Sequence, residues 1–244
     1  MAIAEADGPA SPLNDFSATG QPYPTIFSTQ VDTGQNRSIL SGRPAGVVDP
    51  ANRVLPWRPD ADAARREFIR HMIPPASLKH LEAYARCVLP GPLEADNRGP
   101  YQIIQRPDSL LLLYEYNHVT RVIYTDGRPH LGPNVRLFMG DSLGRWEGDT
   151  LVVDTTNYND KTSLGRTVPY HSEALHTVER FTRVDPNLID YQITIEEPSL
   201  FTKPIRIAGA FVGAAPGTEL MEFACAEGSQ TLPNVFGFEF APKR

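Results

Sequence analysis

The sequence predicts a mainly β protein: an antiparallel, up-and-down β-barrel of lipocalin-like shape, with a β-sandwich as the alternative. Three observations predict it. Eight short segments rich in β-branched and aromatic residues follow residue 100. Turn residues separate several of them, and little helical pattern lies between them. Such a series favours an antiparallel meander, and closing the meander into a barrel removes its exposed edges.

The first 100 residues have a different character. Residues 1–58 are rich in Pro, Gly, Ser, Asn and Asp without sustained periodicity, which predicts an irregular arm. Helix-forming residues in 60–72 and 76–86 predict two short helices separated by Pro74-Pro75. We therefore expect an arm with two short helices, residues 1–100, packed on an antiparallel β-barrel domain, residues 101–244.

The predicted strands then follow one another along the chain. Three turn sequences, Asp126-Gly127, Glu147-Gly148-Asp149 and Asp185-Pro186-Asn187, are interpreted as hairpin turns between them. In order, the strand segments are YQIIQ, SLLLLYEY, RVIYT, DTLVVDTT, ALHTVERFTRV, LIDYQITIEE, IRIAGAF and TELMEFAC.

Composition limits the partners. A formal net charge of −6 offers no basic surface for phosphates and argues against nucleic acid. The longest aliphatic run, Leu110 to Leu113, is far shorter than the roughly 20 residues that cross a bilayer, so we expect no membrane span. A small molecule is the expected partner, and a homodimer is left open. The acidic first residues lack the features of a secretion signal and predict a cytoplasmic protein, or a periplasmic one if a signal was removed.

Cys87 and Cys225 are the only cysteines, and no CxxC pair is present. The sequence favours two buried free thiols. The alternative is a disulfide between the helical region and the last strand, which would favour an oxidising compartment. The sequence also lacks a GxSxG elbow, a Walker loop and a dinucleotide fingerprint. We therefore expect no cofactor and exclude α/β-hydrolases, P-loop enzymes and Rossmann dehydrogenases.

Several long sequence motifs of the chain recur in a known family. LYEYNHVTRVIYTDGRPH, MGDSLGRWEGDTLVVDTTNYND and PYHSEALHTVERFTRVDP resemble a large family of uncharacterised bacterial proteins with the pattern YEYNH, DGRPHP, MGDSxGRWEGDTLVVDT and HSxxLHxxERY. The likeness extends from about Val47 to Cys225. It implies a β-rich, barrel-type fold in bacteria that degrade complex, partly aromatic organic matter. One departure is that relatives continue as ACHEGNY, whereas this chain has Ala226 in place of the histidine.

The YEYNH motif contains the first candidate site residues. Strand alternation predicts that Tyr114, Tyr116 and His118 share one face. Two phenols and an imidazole suit the binding of a flat ring and the movement of a proton. We assign Tyr116 and His118 to catalysis, and Tyr114 with the nearby Arg121 to substrate binding. The alternative is a Tyr-rich sheet face with His118 exposed at a strand end.

Further candidates lie downstream. His176 and Arg180 are predicted on one barrel wall, where the arginine could bind a carboxylate or phenolate or pair with Asp154 or Glu196. Asp154 interrupts an apolar strand and is expected to face inward as a proton donor, with a raised pKa unless it is paired. We assign His176 and Asp154 to catalysis and Arg180 to substrate binding.

Two loop histidines complete the substrate-binding group. His171 and His130 are placed at the mouth of the barrel. Ser142 lies near Asp141, but its β context argues against a serine hydrolase, and the charges of residues 141–149 are interpreted as structural.

Together these residues predict a cofactor-independent lyase or isomerase. It would act by acid–base chemistry on a small, aromatic organic acid or phenol, through decarboxylation, dehydration or a related elimination. One alternative is a non-catalytic small-molecule binding barrel. The other is a metal-dependent enzyme built on His118, His130, His171 and His176, although their spacing matches no metal motif and we assign no metal ligands.

Overall fold

A computed structural model describes residues 26–30, 46–72, 74–81, 84–89, 91, 100–165, 168, 170–215, 217–223 and 225. Within these ranges ten strands form one hydrogen-bonded sheet. In chain order they are β1 (Ile26–Gln30), β2 (Gly46–Asp49), β3 (Tyr101–Arg106), β4 (Ser109–Tyr114), β5 (Thr120–Tyr124), β6 (Asp141–Glu147), β7 (Thr150–Thr156), β8 (His176–Asp185), β9 (Leu188–Glu196) and β10 (Ile205–Gly213). The prediction of a mainly β protein is confirmed.

The sheet is mixed. Antiparallel pairs join β3, β4 and β5 in series, and a second antiparallel series runs from β6 to β10. Between the two series, β5 and β6 are parallel and pair only through Ile123 with Ser142 and Tyr124 with Leu143. The predicted all-antiparallel meander is therefore wrong at this point. Asp126-Gly127 closes no hairpin, because the chain makes a long connection over residues 125–140 before β6 begins.

The N-terminal segment supplies two strands, which corrects its interpretation as an irregular arm. β1 pairs antiparallel with both β3 and β10, and β2 pairs antiparallel with β10. These strands could not be predicted from the sequence, because each is only four or five residues long and lies in a stretch rich in Pro and Gly. β6 is also missing from the predicted strands, because the charges of residues 141–149 were interpreted as structural groups around the turn at 147–149.

One of the two predicted helices forms. Helix α1 (Pro59–Arg70) begins at a proline, has Asp60 and Asp62 in its first turn and ends with Arg70. These residues suit the two ends of a helix dipole. The second prediction, 76–86, is corrected to two 3-10 turns, Leu78–His80 and Tyr84–Arg86. An isolated helix of about a dozen residues is only marginally stable in water, so it forms only where other parts of the fold pack against it. None of the described helices is both long and apolar enough to cross a bilayer.

The C-terminal strand prediction is also wrong for the residues described. Residues 217–223 and 225 form no strand, and Met221 donates its backbone N–H to Glu115 Oε2 at 2.8 Å. Cys225 forms a disulfide with Cys87, their Cα atoms being 5.7 Å apart. The expectation of two free thiols is therefore corrected. This covalent link ties the segment after β10 to the helical region, across 138 residues of sequence.

Alternate residues of the strands build a common interior. Aromatic rings from four strands meet there: Phe181, Tyr191 and Phe211 have centroids 4.7 to 6.0 Å apart, and Tyr101 contacts Phe211 at 5.2 Å. These rings are almost fully buried. Burying each large apolar side chain contributes about 1.5 to 3 kcal/mol, so this cluster is a major source of stability.

Candidate functional site

The interior contains a buried ion pair next to the aromatic cluster. Arg121 on β5 has 2% of its surface exposed and Glu179 on β8 has none. The guanidinium forms a bidentate pair with the carboxylate, with Arg121 Nη1 at 3.0 Å from Glu179 Oε1 and Nη2 bonded to Oε2. Tyr191 on β9 donates its hydroxyl to Glu179 Oε1 at 3.0 Å. Two charges taken out of water are tolerable when they are paired and hydrogen-bonded in this way.

Arg121 reaches Glu179 by crossing the inner side of two strands. Its Nε donates to Ser142 Oγ on β6 at 3.0 Å, and Nη2 donates to Thr155 Oγ1 on β7 at 2.9 Å. The two hydroxyls are themselves 3.1 Å apart. Burial disfavours the guanidinium charge, but the charge and hydrogen bonds of Glu179 outweigh this effect and raise the pKa of Arg121 well above its ordinary value. One side chain thus connects β5 to β6, β7 and β8.

A cleft of about 590 Å³ opens beside this ion pair, where β5 and β6 separate. Its walls are apolar and include Val122 on β5 and Leu131, Leu137 and Phe138 on the 125–140 connection. Its polar lining consists mainly of Arg121, Ser142, Asp141, His118 and Arg128. A concave site of a few hundred Å³ with apolar walls and a few polar groups is typical of small-molecule binding.

Specific contacts hold the 125–140 connection over the sheet. Asn157 Nδ2 lies 2.9 to 3.1 Å from the carbonyl oxygens of Leu131, Gly132 and Val135. Gly140 ends the connection with a φ of +69°, and a Cβ there would come within 2.9 Å of three atoms of residues 155, 156 and 158. Only glycine fits this approach. The connection is therefore fixed at the residue that precedes Asp141.

Asp141 begins a chain of alternating carboxylates and imidazoles on the outer side of the sheet. Asp141 Oδ2 lies 2.8 Å from His130 Nδ1 and accepts the backbone N–H of Leu131 at 2.9 Å. His130 Nε2 lies 2.9 Å from Asp154 Oδ1. Asp154 Oδ2 lies 3.0 Å from His176 Nε2, and His176 Nδ1 lies 3.2 Å from Glu196 Oε2. Five groups thus form one hydrogen-bonded row from the cleft to the surface.

The row favours the doubly protonated form of His176. Each of its ring nitrogens faces a carboxylate oxygen, and an ionised carboxylate can only accept. For His176, burial disfavours the charge, but the hydrogen bonds to Asp154 and Glu196 outweigh it and raise the pKa above its ordinary value. Asp141 is the one member of the row that also lines the cleft.

Comparison with family models, with curated proteins and with solved structures finds no match to this chain.

The predicted wall of Tyr114, Tyr116 and His118 does not exist as a strand face. β4 ends at Tyr114, and residues 116–118 form a 3-10 turn in which Asn117 and His118 have φ values of 54° and 50°. Tyr114 is buried in the interior against Tyr101, and Tyr116 packs edge-on against Phe223. Of the three, only His118 lines the cleft, where it is exposed.

The inward face of β8 is the opposite of the predicted one. Thr177, Glu179, Phe181 and Arg183 are buried, whereas His176 and Arg180 lie on the outer side. Arg180 is paired with Glu147 at 2.9 Å, away from the cleft. Asp154 likewise faces outward, between the two histidines. The sequence predicts β7 and β8 as strands, but alternation alone does not determine which of their faces turns inward.

His171 is corrected from a mouth residue to a buried structural one. It has 4% of its surface exposed, its Nε2 lies 2.6 Å from Thr162 Oγ1, and its Nδ1 lies 3.0 Å from the Ser172 carbonyl. Burial lowers its pKa below the ordinary value. The four histidines of the metal alternative therefore do not converge, since only His130 and His176 share a cluster. Within the described ranges no group of three or more His, Cys, Asp or Glu is arranged to hold a metal ion.

Sequence reasoning missed three members of the site. Glu179 is not among the predicted site residues, Asp141 is interpreted as a structural charge, and Ser142 is considered only as a nucleophile. For Glu179 the sequence does contain an indication. Glu179 and the apolar Phe181 are two residues apart and therefore share one face of the strand, and a charge on an apolar face requires a buried partner such as Arg121.

The raised pKa of His176 predicts a defined pH dependence of stability. A histidine whose folded-state pKa lies above the unfolded value of about 6.5 stabilises the protein below that pH, and the contribution is lost as the pH rises through the folded pKa. The free-energy loss caused by His176→Asn, measured by urea unfolding, should therefore be larger at pH 5.5 than at pH 8.5. An NMR titration should give His176 a midpoint above 6.5. A loss that grows with pH would contradict this assignment.

Proposed function

We propose that this protein is a cofactor-independent lyase or isomerase that acts in the cleft on a small, aromatic organic acid or phenol. The proposal rests on one observation: Asp141 both lines the cleft and hydrogen-bonds His130 at the start of the row. A carboxylate held against an imidazole at the edge of an apolar cleft suits proton transfer to or from a bound molecule.

The two oxygens of Asp141 have different environments. Oδ2 is occupied by His130 and the Leu131 N–H, whereas Oδ1 has no hydrogen-bond partner among the described residues. We assign Oδ1 the transfer of a proton with the substrate, and His130 the role of a positioning residue that stabilises the charge of Asp141. This assignment moves the proposed chemistry from the predicted catalytic set, His118, Tyr116, His176 and Asp154, to Asp141.

The rest of the row supports proton exchange with water. Asp154 and His176 connect His130 to Glu196, whose side chain is 49% exposed. When Asp141 accepts a proton, the row loses one negative charge, and His176 can release its Nδ1 proton to water through Glu196. The net charge of the row is then restored without a proton passing along it. His118, on the 3-10 turn, is a second acid–base group in the lining of the same cleft, and an elimination requires one group to take a proton and another to give one.

We further propose that the sheet is a closed, lipocalin-like barrel, because β1 pairs with both β3 and β10. Backbone NOEs should then connect Phe27 both to Gly213 and to Tyr101, which are its partners on the two sides. An NOE pattern with only one of the two would leave the sheet open and contradict closure.

The catalytic proposal predicts a large rate loss on Asp141→Asn. The substitution retains size but removes the base, and a positioned acid or base contributes about 10²- to 10⁴-fold to the rate. The measurement is turnover of 4-hydroxybenzoate, 4-hydroxycinnamate and the corresponding phenols in D₂O, followed by NMR for carboxylate loss or deuterium uptake. His130→Gln should reduce the same rate by a smaller factor, because it acts through Asp141.

Asp149→Asn is the matched control, since Asp149 lies in the β6–β7 turn and does not line the cleft. It should leave the rate unchanged. A rate for Asp141→Asn within twofold of the wild type would refute the assignment of Asp141. If the probes bind in the cleft without turnover, the non-catalytic binding alternative replaces the lyase.

A further inference from the structure

The two arginines that line the cleft are already paired with carboxylates of the protein. Arg121 forms its bidentate pair with Glu179. Arg128 stacks 3.6 Å from the Tyr124 ring centroid and pairs with Asp126, its Nε lying 2.9 and 3.0 Å from the two carboxylate oxygens. Each guanidinium is thus bound by a carboxylate of the protein itself. A ligand anion would have to compete with that carboxylate.

The remaining charged groups of the lining do not favour an anion either. Asp141 contributes a carboxylate whose Oδ1 has no hydrogen-bond partner within the described part of the chain. His118 is exposed on its 3-10 turn, where water screens any charge it carries. The walls contributed by Val122, Leu137 and Phe138 are apolar. A ligand carboxylate in this cleft would lose water without gaining a free counter-charge, and such a transfer is costly.

We propose that the cleft selects an uncharged ligand, an aromatic or similarly flat apolar body with a neutral hydrogen-bonding end, and discriminates against carboxylates. The neutral end meets Asp141, whose carboxylate accepts a hydrogen bond, and the exposed His118, whose ring nitrogens also form hydrogen bonds. This inference rests on the proposed function and narrows it. Of the two substrate classes proposed above, it favours the phenol over the organic acid, and a dehydration or isomerisation over a decarboxylation.

An isosteric pair of probes tests the selectivity directly. Benzamide and benzoate have nearly the same shape but differ by one negative charge. Both are titrated into the full chain at pH 7 and followed by the backbone amide signals of Val122, Leu131, Leu137 and Phe138. We expect benzamide to bind at least tenfold more tightly than benzoate. Equal or tighter binding of benzoate would overturn the inference while leaving the cleft as the ligand site.

A gain-of-binding variant makes the test independent of loss of folding. Asp126 pairs with Arg128 but does not itself line the cleft, so Asp126→Asn frees one cation at its edge. Benzoate affinity should rise about threefold to tenfold, and benzamide affinity should stay within twofold. Glu147→Gln is the control, because it frees Arg145 and Arg180, neither of which lines the cleft. It should change neither affinity.

The outcomes separate the two proposals. An unchanged benzoate affinity in Asp126→Asn would contradict the charge argument alone. If neither probe shifts any of the four amide signals, the cleft is not a binding site for aromatic molecules, and both this inference and the proposed function fail.

Discussion

The buried pair of Arg121 and Glu179 is the interaction on which the site depends. It connects two strands that are not neighbours, and on the way the guanidinium bonds Ser142 and Thr155 on the two strands between them. A buried ion pair adds little net stability, since the loss of water offsets the attraction. Its effect is on register. A shift of one residue in any of these strands would leave a charge unpaired in the interior, so the pair specifies a single arrangement.

The cleft follows from that arrangement. The backbone ladder between β5 and β6 is only two residue pairs long, and the hydrogen bond from Arg121 to Ser142 adds a side-chain link between the two strands. The chain must make the 125–140 connection to enter β6 parallel to β5, and this connection becomes the cover of the cleft. Gly140 then places consecutive residues on opposite sides of the sheet. Ser142 faces the ion pair, and Asp141 faces His130 and the cleft.

The sequence predicted the β-rich class, helix α1 and most strand segments, because alternation and turn residues are local signals. It did not predict the parallel β5–β6 pair, since Asp126-Gly127 carries the same turn signal whether or not a hairpin follows. Nor could it assign the faces of β7 and β8. The sequence predicts Asp154 and His176 on the inward side of these strands, whereas Thr155 and Glu179 occupy that side. Pairing between distant side chains, such as Arg121 with Glu179 or Cys87 with Cys225, has no local signature.

A double-mutant cycle on the ion pair tests the account most directly, with the free energy of unfolding as the measured quantity. Arg121→Met and Glu179→Leu should each cost about 3 to 5 kcal/mol, because each leaves a buried charge without its partner. The double variant should lose clearly less than the sum, since neither charge remains. Single losses below about 1 kcal/mol, or losses that simply add, would show that the two charges do not depend on each other and would contradict the account.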